Sequence, residues 1–124
     1  MVRILIVEDN VEFRNALHSV IASEFPSACT EEVGEGEGLL RELGDYQPDL
    51  VFMDLELPGQ NGLVLTRKTK EIYPDTVIAV LTNYDLQEYR DAAFKNGASY
   101  FLSKESAKPS DILSVVRAVI SAEK

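Results

Sequence analysis

The sequence predicts an α/β domain in which five strands form one parallel sheet with helices on both faces. Two observations carry this prediction: short apolar runs alternate with amphipathic helical patterns, and polar residues follow four of the runs. The right-handed crossover rule then favours a doubly wound sheet with the strand order 2-1-3-4-5. Ligands of such sheets bind beyond the carboxyl ends of the strands, so the polar residues there are expected to converge.

Two strands and two helices are predicted in the first part of the chain. Residues 3–7 form a short apolar run typical of a central strand. A helix follows and ends at Pro26; its apolar face comprises Phe13, Ala16, Leu17, Val20 and Ile21. Residues 28–33 are more polar, as expected of a strand near the sheet edge. The Gly34–Gly38 stretch then opens a short helix that contains Leu39, Leu40 and Leu43.

Three more strands, each followed by a helix, are predicted in the rest of the chain. The strands cover residues 49–54, 76–82 and 99–103. The helices cover residues 63–73 and 85–95 and a segment from Pro109 onward. A turn-rich loop over residues 55–62 joins the third strand to its helix.

Length and composition fit one domain over residues 1–124. The chain is 45% hydrophobic, enough for one core, and its single cysteine, Cys29, suits a reducing cytoplasm. The formal charge of −9 argues against direct nucleic-acid binding, which depends on Lys and Arg, so protein partners are expected. The first apolar run is too short for a signal peptide or a membrane span. We therefore expect a cytoplasmic protein without membrane contact.

Three carboxylates are expected at adjacent strand ends. Glu8 and Asp9 follow the first strand and Asp54 ends the third. Their repulsion would raise their pKa values unless a cation lies among them. Oxygen ligands without His or Cys indicate Mg²⁺, with Mn²⁺ as a substitute. For an isolated aspartate a structural role is more common, Asp9 as a helix cap and Asp54 as an ordinary strand-end residue, but two strand ends acting together favour the metal site.

Lys104 and Thr82 follow the fifth and fourth strands and could complement these carboxylates. The ammonium of Lys104 could contact a phosphoryl oxygen or pair with Asp54, or the residue could be a solvated surface lysine. The hydroxyl of Thr82 could donate to a phosphoryl oxygen or cap the next helix. The one histidine, His18, lies on a helix face away from these strand ends, and we assign it no role.

This set of residues resembles the receiver domain of bacterial two-component response regulators over essentially the whole chain. The residues that carry the resemblance are Glu8-Asp9, Asp54 followed by Leu57-Pro58-Gly59 and Gly62, Thr82, and Lys104 preceded by Gly97-Ala98 and Phe101-Leu102. The resemblance implies a flavodoxin-like fold and a signalling switch that catalyses only its own phosphorylation and dephosphorylation. A sensor histidine kinase or phosphotransfer protein is then the expected phosphoryl donor to Asp54.

The resemblance also implies a set of metal ligands. Asp9 and Asp54 would bind Mg²⁺ directly, Glu8 would act through water, and the backbone carbonyl of Glu56 would complete the set. Lys104 would add positive charge where the phosphoryl oxygens gather, which is what phosphoryl transfer requires.

A switch that couples the phosphoryl group to a distant face is implied as well. Thr82 would move toward the phosphoryl oxygens, and Phe101, three residues before Lys104, would fill the vacated space from a more exposed rotamer. Tyr100 is the competing aromatic but faces the other side of the strand, and core packing is the alternative for both. The fourth helix, fifth strand and fifth helix would bind a downstream effector or form a phosphorylation-dependent homodimer.

Three features depart from the commonest family pattern. Glu105 follows Lys104 where many receivers have proline, so a trans peptide bond is expected there. Glu56 and Tyr84 occupy positions that tune phosphate lifetime in the family. The chain ends at Lys124 with the fifth helix, so we expect a receiver domain without a DNA-binding or enzymatic output domain.

A metal-dependent Toprim-like nucleic-acid enzyme fragment is the main alternative, because Asp54-Leu55-Glu56 permits its acidic motif. The net charge opposes this hypothesis, and Toprim chemistry has no role for Thr82 and Lys104. A receiver-like domain that no longer accepts phosphate is a weaker alternative, since each chemical residue is present.

Overall fold

Five strands form one parallel sheet in the computed structural model, which describes residues 2–34, 46–57 and 59–122. The strands in chain order are β1 (Arg3–Val7), β2 (Cys29–Val33), β3 (Leu50–Asp54), the short β4 (Glu56–Leu57) and β5 (Gln60–Asn61), β6 (Val77–Thr82) and β7 (Tyr100–Ser103). The sheet order β2-β1-β3-β6-β7 confirms the predicted order 2-1-3-4-5, with polar β2 at one edge. β4 and β5 form a separate antiparallel pair inside the segment predicted as a loop.

Four helices lie within the described residues. They are α1 (Val11–Glu24), α2 (Gly62–Ile72), α3 (Gln87–Lys95) and α4 (Pro109–Ala122). These confirm the first, third, fourth and fifth predicted helices. The second predicted helix, which would contain Leu39, Leu40 and Leu43, lies outside the described residues.

The start of α1 differs from the structural explanation considered for Asp9. The residue that caps α1 is Asn10, whose side chain accepts a hydrogen bond from the N–H of Phe13 at 3.0 Å. Asn10 satisfies one of the donors left free in the first helical turn. The capping hypothesis for Asp9 is therefore wrong, because Asn10 and not Asp9 caps α1.

The two faces of the sheet are covered by different helices. Because successive residues of a strand point to opposite faces, Ile4 and Ile6 pack in the cluster of α1 and α4, whereas Leu5 and Val7 pack in the cluster of α2 and α3. All residues of β3 are buried, as expected of a central parallel strand covered on both faces. The strand that ends at Asp54 is thus held in the middle of the core.

Parallel pairing brings the carboxyl ends of the strands together along one side of the sheet, here called the carboxyl edge. The pairs nearest this edge are Val7 with Met53, Asp54 with Leu81, and Thr82 with Ser103. The N–H of Lys104 donates to the carbonyl of Thr82 at 2.9 Å, which extends the ladder one residue beyond β7. The residues that follow these strands therefore share one edge, as the sequence predicted.

Gly62 fixes the return of the chain from the β4–β5 pair. A Cβ atom at this position would lie 2.4 Å from the carbonyl oxygen of Asp54 and 2.6 Å from the Cα of Leu55. Real Cβ atoms do not approach backbone so closely, so glycine is required here for steric reasons. The close approach seats the start of α2 directly against the end of β3.

Candidate functional site

Asp54 is a buried carboxylate at the end of the central strand, with 2% of its surface exposed. Its Oδ1 accepts a hydrogen bond from the N–H of Glu56 at 3.0 Å. Its Oδ2 lies 3.3 Å from Nζ of Lys104. Both oxygens therefore have partners from different elements, which orients the carboxylate at the edge of the sheet.

Lys104 lies between two carboxylates. Its Nζ is 2.5 Å from Oε1 of Glu8 and also contacts Asp54, and only 9% of its side chain is exposed. The ring centroid of Phe13 lies 4.9 Å from the ammonium and adds a cation–π contact from α1. The hypothesis of a solvated surface lysine is therefore wrong.

Glu8 is held by the backbone as well as by Lys104. Its Oε2 accepts the N–H of Asn10 at 3.1 Å, and its own N–H donates to the carbonyl of Val33 at 2.9 Å. The guanidinium of Arg14 donates to its backbone carbonyl at 2.9 Å. Both carboxylate oxygens of Glu8 thus have partners within the chain.

The site carries more negative than positive charge, and this affects the protonation of Glu8. Burial raises the pKa of Glu8 to about 7, the hydrogen bond from Lys104 opposes the rise, and Asp54 adds to it. The direction is the one expected from crowded carboxylates, although burial is the larger cause. Burial alone would lower the pKa of Lys104, but its bond with Glu8 and the charge of Asp54 raise it overall. Lys104 is therefore a permanent cation at neutral pH.

Glu8, Asp9 and Asp54 form a cluster suited to a hard cation. One oxygen from each side chain lies within 4.8 Å of the others. Glu8 and Asp54 are buried, whereas Asp9 is exposed and leaves the cluster open to solvent. A set of carboxylate oxygens without nitrogen or sulfur matches the ligand preference of Mg²⁺ and Mn²⁺.

Thr82 is completely buried at the end of β6, and its hydroxyl has two partners. The hydroxyl donates to Oε1 of Glu56 at 3.3 Å and accepts the N–H of Tyr84 at 3.0 Å. α3 begins after Leu86, which makes no side-chain capping bond, so the hypothesis that Thr82 caps this helix is wrong. The hydroxyl instead faces the site.

The side chain of Glu56 is the part of this arrangement that sequence reasoning did not assign. Besides Thr82, the same Oε1 accepts the N–H of Asn83 at 3.3 Å. The roles expected for Glu56 were a backbone carbonyl ligand and a position that tunes phosphate lifetime, with no contact to β6. The only signal available was an acidic residue two positions beyond a strand-end aspartate.

Comparison with known proteins agrees with this geometry. The family model for the response regulator receiver domain matches residues 4–117. The chain belongs to this family. The receiver domain is 31% identical over 118 residues to the oxygen regulatory protein NreC of Staphylococcus carnosus, covering 94% of this chain and 54% of that protein. It is 32% identical over 104 residues to the transcriptional regulatory protein DegU of Brevibacillus brevis, covering 84% and 44%.

Solved structures support the fold of the receiver domain. A CheY-like response regulator receiver domain protein from Methanospirillum hungatei JF-1 superposes with a TM-score of 0.89 at 22% identity, covering 99% of this chain and 97% of that one. The receiver domain of a DNA binding response regulator from Colwellia psychrerythraea 34H gives 0.89 at 21% identity, covering 96% and 98%. These matches confirm the flavodoxin-like fold. They give no support to the Toprim-like alternative.

The receiver domain spans about half the length of the curated relatives that it matches. In the described part of the chain, no helix is long and apolar enough to cross a bilayer.

The two aromatic residues of β7 lie on opposite faces of the receiver domain's sheet, as the alternation of side chains predicts. Phe101 is 6% exposed in the cluster of α2 and α3, while Tyr100 packs against the cluster of α1 and α4. Phe101 pairs with Val80, which shares a sheet face with Thr82. The guanidinium carbon of Arg90 in α3 lies 4.9 Å from the Phe101 ring centroid. The ring is therefore already buried, as in the core-packing alternative, and not in the more exposed rotamer that the resemblance implied for the state before phosphorylation.

His18 and Glu105 lie outside the carboxylate cluster. His18 Nδ1 is 3.3 Å from Oε1 of Glu32 on the edge strand β2. The bond between Lys104 and Glu105 is trans, as predicted for a non-proline residue.

Proposed function

We propose that this receiver domain is a phosphorylation-activated switch of a two-component system and that Asp54 is its phosphoacceptor. The observation that supports this most strongly is the arrangement of a buried, oriented Asp54 carboxylate beside the Lys104 ammonium at 3.3 Å. Receiver domains act with histidine kinases and downstream effectors, so a histidine kinase or phosphotransfer protein is the proposed donor.

In the proposed reaction an oxygen of Asp54 attacks the phosphorus of a phosphohistidine. The P–N bond breaks, its electron pair returns to the imidazole of the donor, and the product is an acyl phosphate on Asp54. The N–H of Glu56 fixes the rotation of the nucleophile through its 3.0 Å bond to Oδ1. The charge of Lys104 stabilises the negative oxygens of the transferring group.

The donor set fits Mg²⁺, with Mn²⁺ as a substitute. We propose that Asp9 and Asp54 hold the ion directly, together with the backbone carbonyl of Glu56. Glu8 would act through water, as the resemblance to the family's ligand set implies. A bound ion would supply further positive charge to the phosphoryl oxygens.

We propose that the signal leaves through the face formed by α3, β7 and α4. Thr82 and Phe101 lie on the same face of the sheet, and Arg90 connects Phe101 to α3. We infer that a change at the Thr82 hydroxyl passes to α3 by way of Phe101, which pairs with Val80, two residues before Thr82, and contacts Arg90. The partner would be a protein effector or a second copy of the domain, because the charge of −9 disfavours nucleic-acid binding. The proposed place of this interaction is the cytoplasm.

Intact-mass analysis with acetyl phosphate and Mg²⁺ tests the proposed acceptor. The parent should gain one phosphoryl group, and Asp54→Asn should gain none because an amide is not a nucleophile in this reaction. Asp75→Asn is the matched control: it makes the same chemical change at an exposed residue between α2 and β6, at the opposite edge of the sheet, and should be modified like the parent. Stoichiometric modification of Asp54→Asn would show that the acceptor is another residue.

A further inference from the structure

We propose that, before phosphorylation, the Glu56 carboxylate accepts hydrogen bonds from two donors at the end of β6. A phosphoryl group on Asp54 must engage these same two donors. This inference rests on the proposed function of Asp54 and adds a regulatory step to the same site. The Glu56 carboxylate thus competes with the incoming phosphoryl group.

The two donors come from one strand end and converge on one atom. The hydroxyl of Thr82 and the N–H of Asn83 both lie 3.3 Å from Oε1 of Glu56. Thr82 is completely buried, so its hydroxyl has few alternative partners. An anion at this point therefore satisfies donors that would otherwise face the site without a charged acceptor.

The phosphoryl group would need the same space. Asp54 pairs with Leu81 in the sheet, which places the end of β6 next to the carboxylate of Asp54. The N–H of Glu56 donates to Oδ1 of Asp54, so the competing side chain belongs to a residue that already contacts the proposed acceptor. Two anions cannot share these donors without strong like-charge repulsion. Phosphorylation must therefore displace the Glu56 carboxylate.

The contacts of Glu56 are suited to displacement. Charge-assisted hydrogen bonds are normally about 2.7–2.9 Å long, and both bonds to Oε1 are 3.3 Å. Glu56 is half-buried and belongs to the two-residue strand β4, which pairs with the equally short β5 in a sheet separate from the main one. The side chain can leave without disturbing the main sheet.

This competition predicts a graded effect of substitution on the affinity for beryllofluoride, an analogue of the phosphoryl group. Glu56→Ala frees both donors and removes the repelling charge, so it should bind beryllofluoride with Mg²⁺ about tenfold more tightly than the parent, the equivalent of one to two typical hydrogen bonds. Glu56→Gln should give a smaller gain, because its neutral amide oxygen still accepts. Both variants retain the backbone carbonyl proposed as a metal ligand.

A measurement without any ligand checks the resting contact. Amide hydrogen exchange of Asn83 should be about fivefold faster in Glu56→Ala than in the parent, because the N–H loses its acceptor. Glu105→Ala is the matched control: it removes an equal charge from an exposed residue beside Lys104 and should change neither the exchange of Asn83 nor the beryllofluoride affinity by a comparable factor.

The double variant Thr82→Ala/Glu56→Ala identifies the route of the effect. If Glu56 acts by occupying Thr82, its removal should improve affinity less when Thr82 is already absent. Equal beryllofluoride affinities of the parent, Glu56→Gln and Glu56→Ala would overturn the competition while leaving Asp54 as the acceptor. Unchanged exchange of Asn83 would overturn the resting contact. Failure of the parent and of every variant to bind beryllofluoride would instead overturn the proposed function, and the competition with it.

Discussion

Replacing Asp9 with alanine should make the metal-free domain more stable than the parent and the Mg²⁺-bound domain less stable than the parent. The Asp9 carboxylate is exposed, and its oxygen lies within 4.8 Å of those of Glu8 and Asp54. With the dielectric constant of water, two unit charges at this distance repel by ~0.9 kcal/mol. Lys104 and partial protonation of Glu8 offset part of this repulsion. We therefore expect Asp9→Ala to stabilise the metal-free fold by about 1 kcal/mol.

Thermal unfolding with and without Mg²⁺ measures this effect. A gain of 1 kcal/mol corresponds to about 3–5 °C in Tm for a domain of this size. At a hundredfold excess over Kd, Mg²⁺ should stabilise the parent by ~2.7 kcal/mol. The variant lacks a proposed direct ligand and should lose most of this gain. Asp9→Ala should therefore unfold above the parent without the ion and below it with the ion.

The design has an internal control for charge. Asp75→Ala removes an equal charge from an exposed residue at the other edge of the sheet, so it should respond to Mg²⁺ like the parent. Salt at ~0.5 M should reduce the metal-free gain of Asp9→Ala, because the repulsion acts through solvent. If both proteins gained equally from Mg²⁺ and kept the same order of Tm, the assignment of Asp9 as a ligand would be wrong.

Three further substitutions probe Lys104, Thr82 and Gly62. Lys104→Met leaves two buried carboxylates without their ammonium, so it should lower the free energy of unfolding by up to about 3–5 kcal/mol in urea titrations. The loss of stability should be larger at pH 8 than at pH 5. The pKa of Glu8 is about 7 in the folded state, above the ordinary glutamate value of 4.5, so the folded domain binds this proton more tightly than the unfolded chain. As the pH falls, Glu8 is protonated and the buried charge disappears. Thr82→Ala should still accept a phosphoryl group but bind an effector ~5- to 150-fold more weakly when phosphorylated; NMR shifts induced by beryllofluoride across α3 and β7 should be smaller than in the parent. Gly62→Ala should destabilise the domain more than Gly59→Ala, because the new Cβ would lie 2.4 Å from a backbone oxygen, whereas at Gly59 nothing lies within 4 Å and the cost is that of a positive φ.

Each of these has a clear contrary outcome. An equal loss of stability in Lys104→Met at both pH values would mean that Glu8 does not carry the unpaired charge. Identical beryllofluoride shifts in Thr82→Ala and the parent would exclude the Thr82 hydroxyl as the coupling group. Equal stabilities of the two glycine variants would show that the loop relaxes away from β3.

The sheet was predictable because four of its five strands are short apolar runs, and the convergence of the strand ends follows from topology alone. Asp54 and Lys104 lie at one edge for the same reason: parallel strands align their carboxyl ends. Local choices within a few residues were less predictable. Asn10 rather than Asp9 caps α1, because backbone geometry selects between adjacent residues that both suit a cap.

The sequence also did not predict which side chains of the site contact each other. Lys104 was expected near Asp54, yet its shortest contact is with Glu8 at 2.5 Å, since the ammonium can reach either strand end. The contact of Glu56 with Thr82 spans 26 residues of sequence. It depends on how the β4–β5 pair turns back over the sheet edge, which no local pattern encodes.

The burial of β3 places neighbouring residues in different dynamic regimes. Asp54 ends a strand that is buried throughout and paired on both sides, so its backbone can open only when most of the domain unfolds. Glu56, two residues later, belongs to a two-residue pair that can open at a small fraction of that free energy. Slow exchange near Asp54 and faster exchange in the β4–β5 pair should therefore coexist within a few residues. The surroundings of the proposed acceptor can thus rearrange faster than the domain unfolds, while Asp54 itself keeps a fixed position.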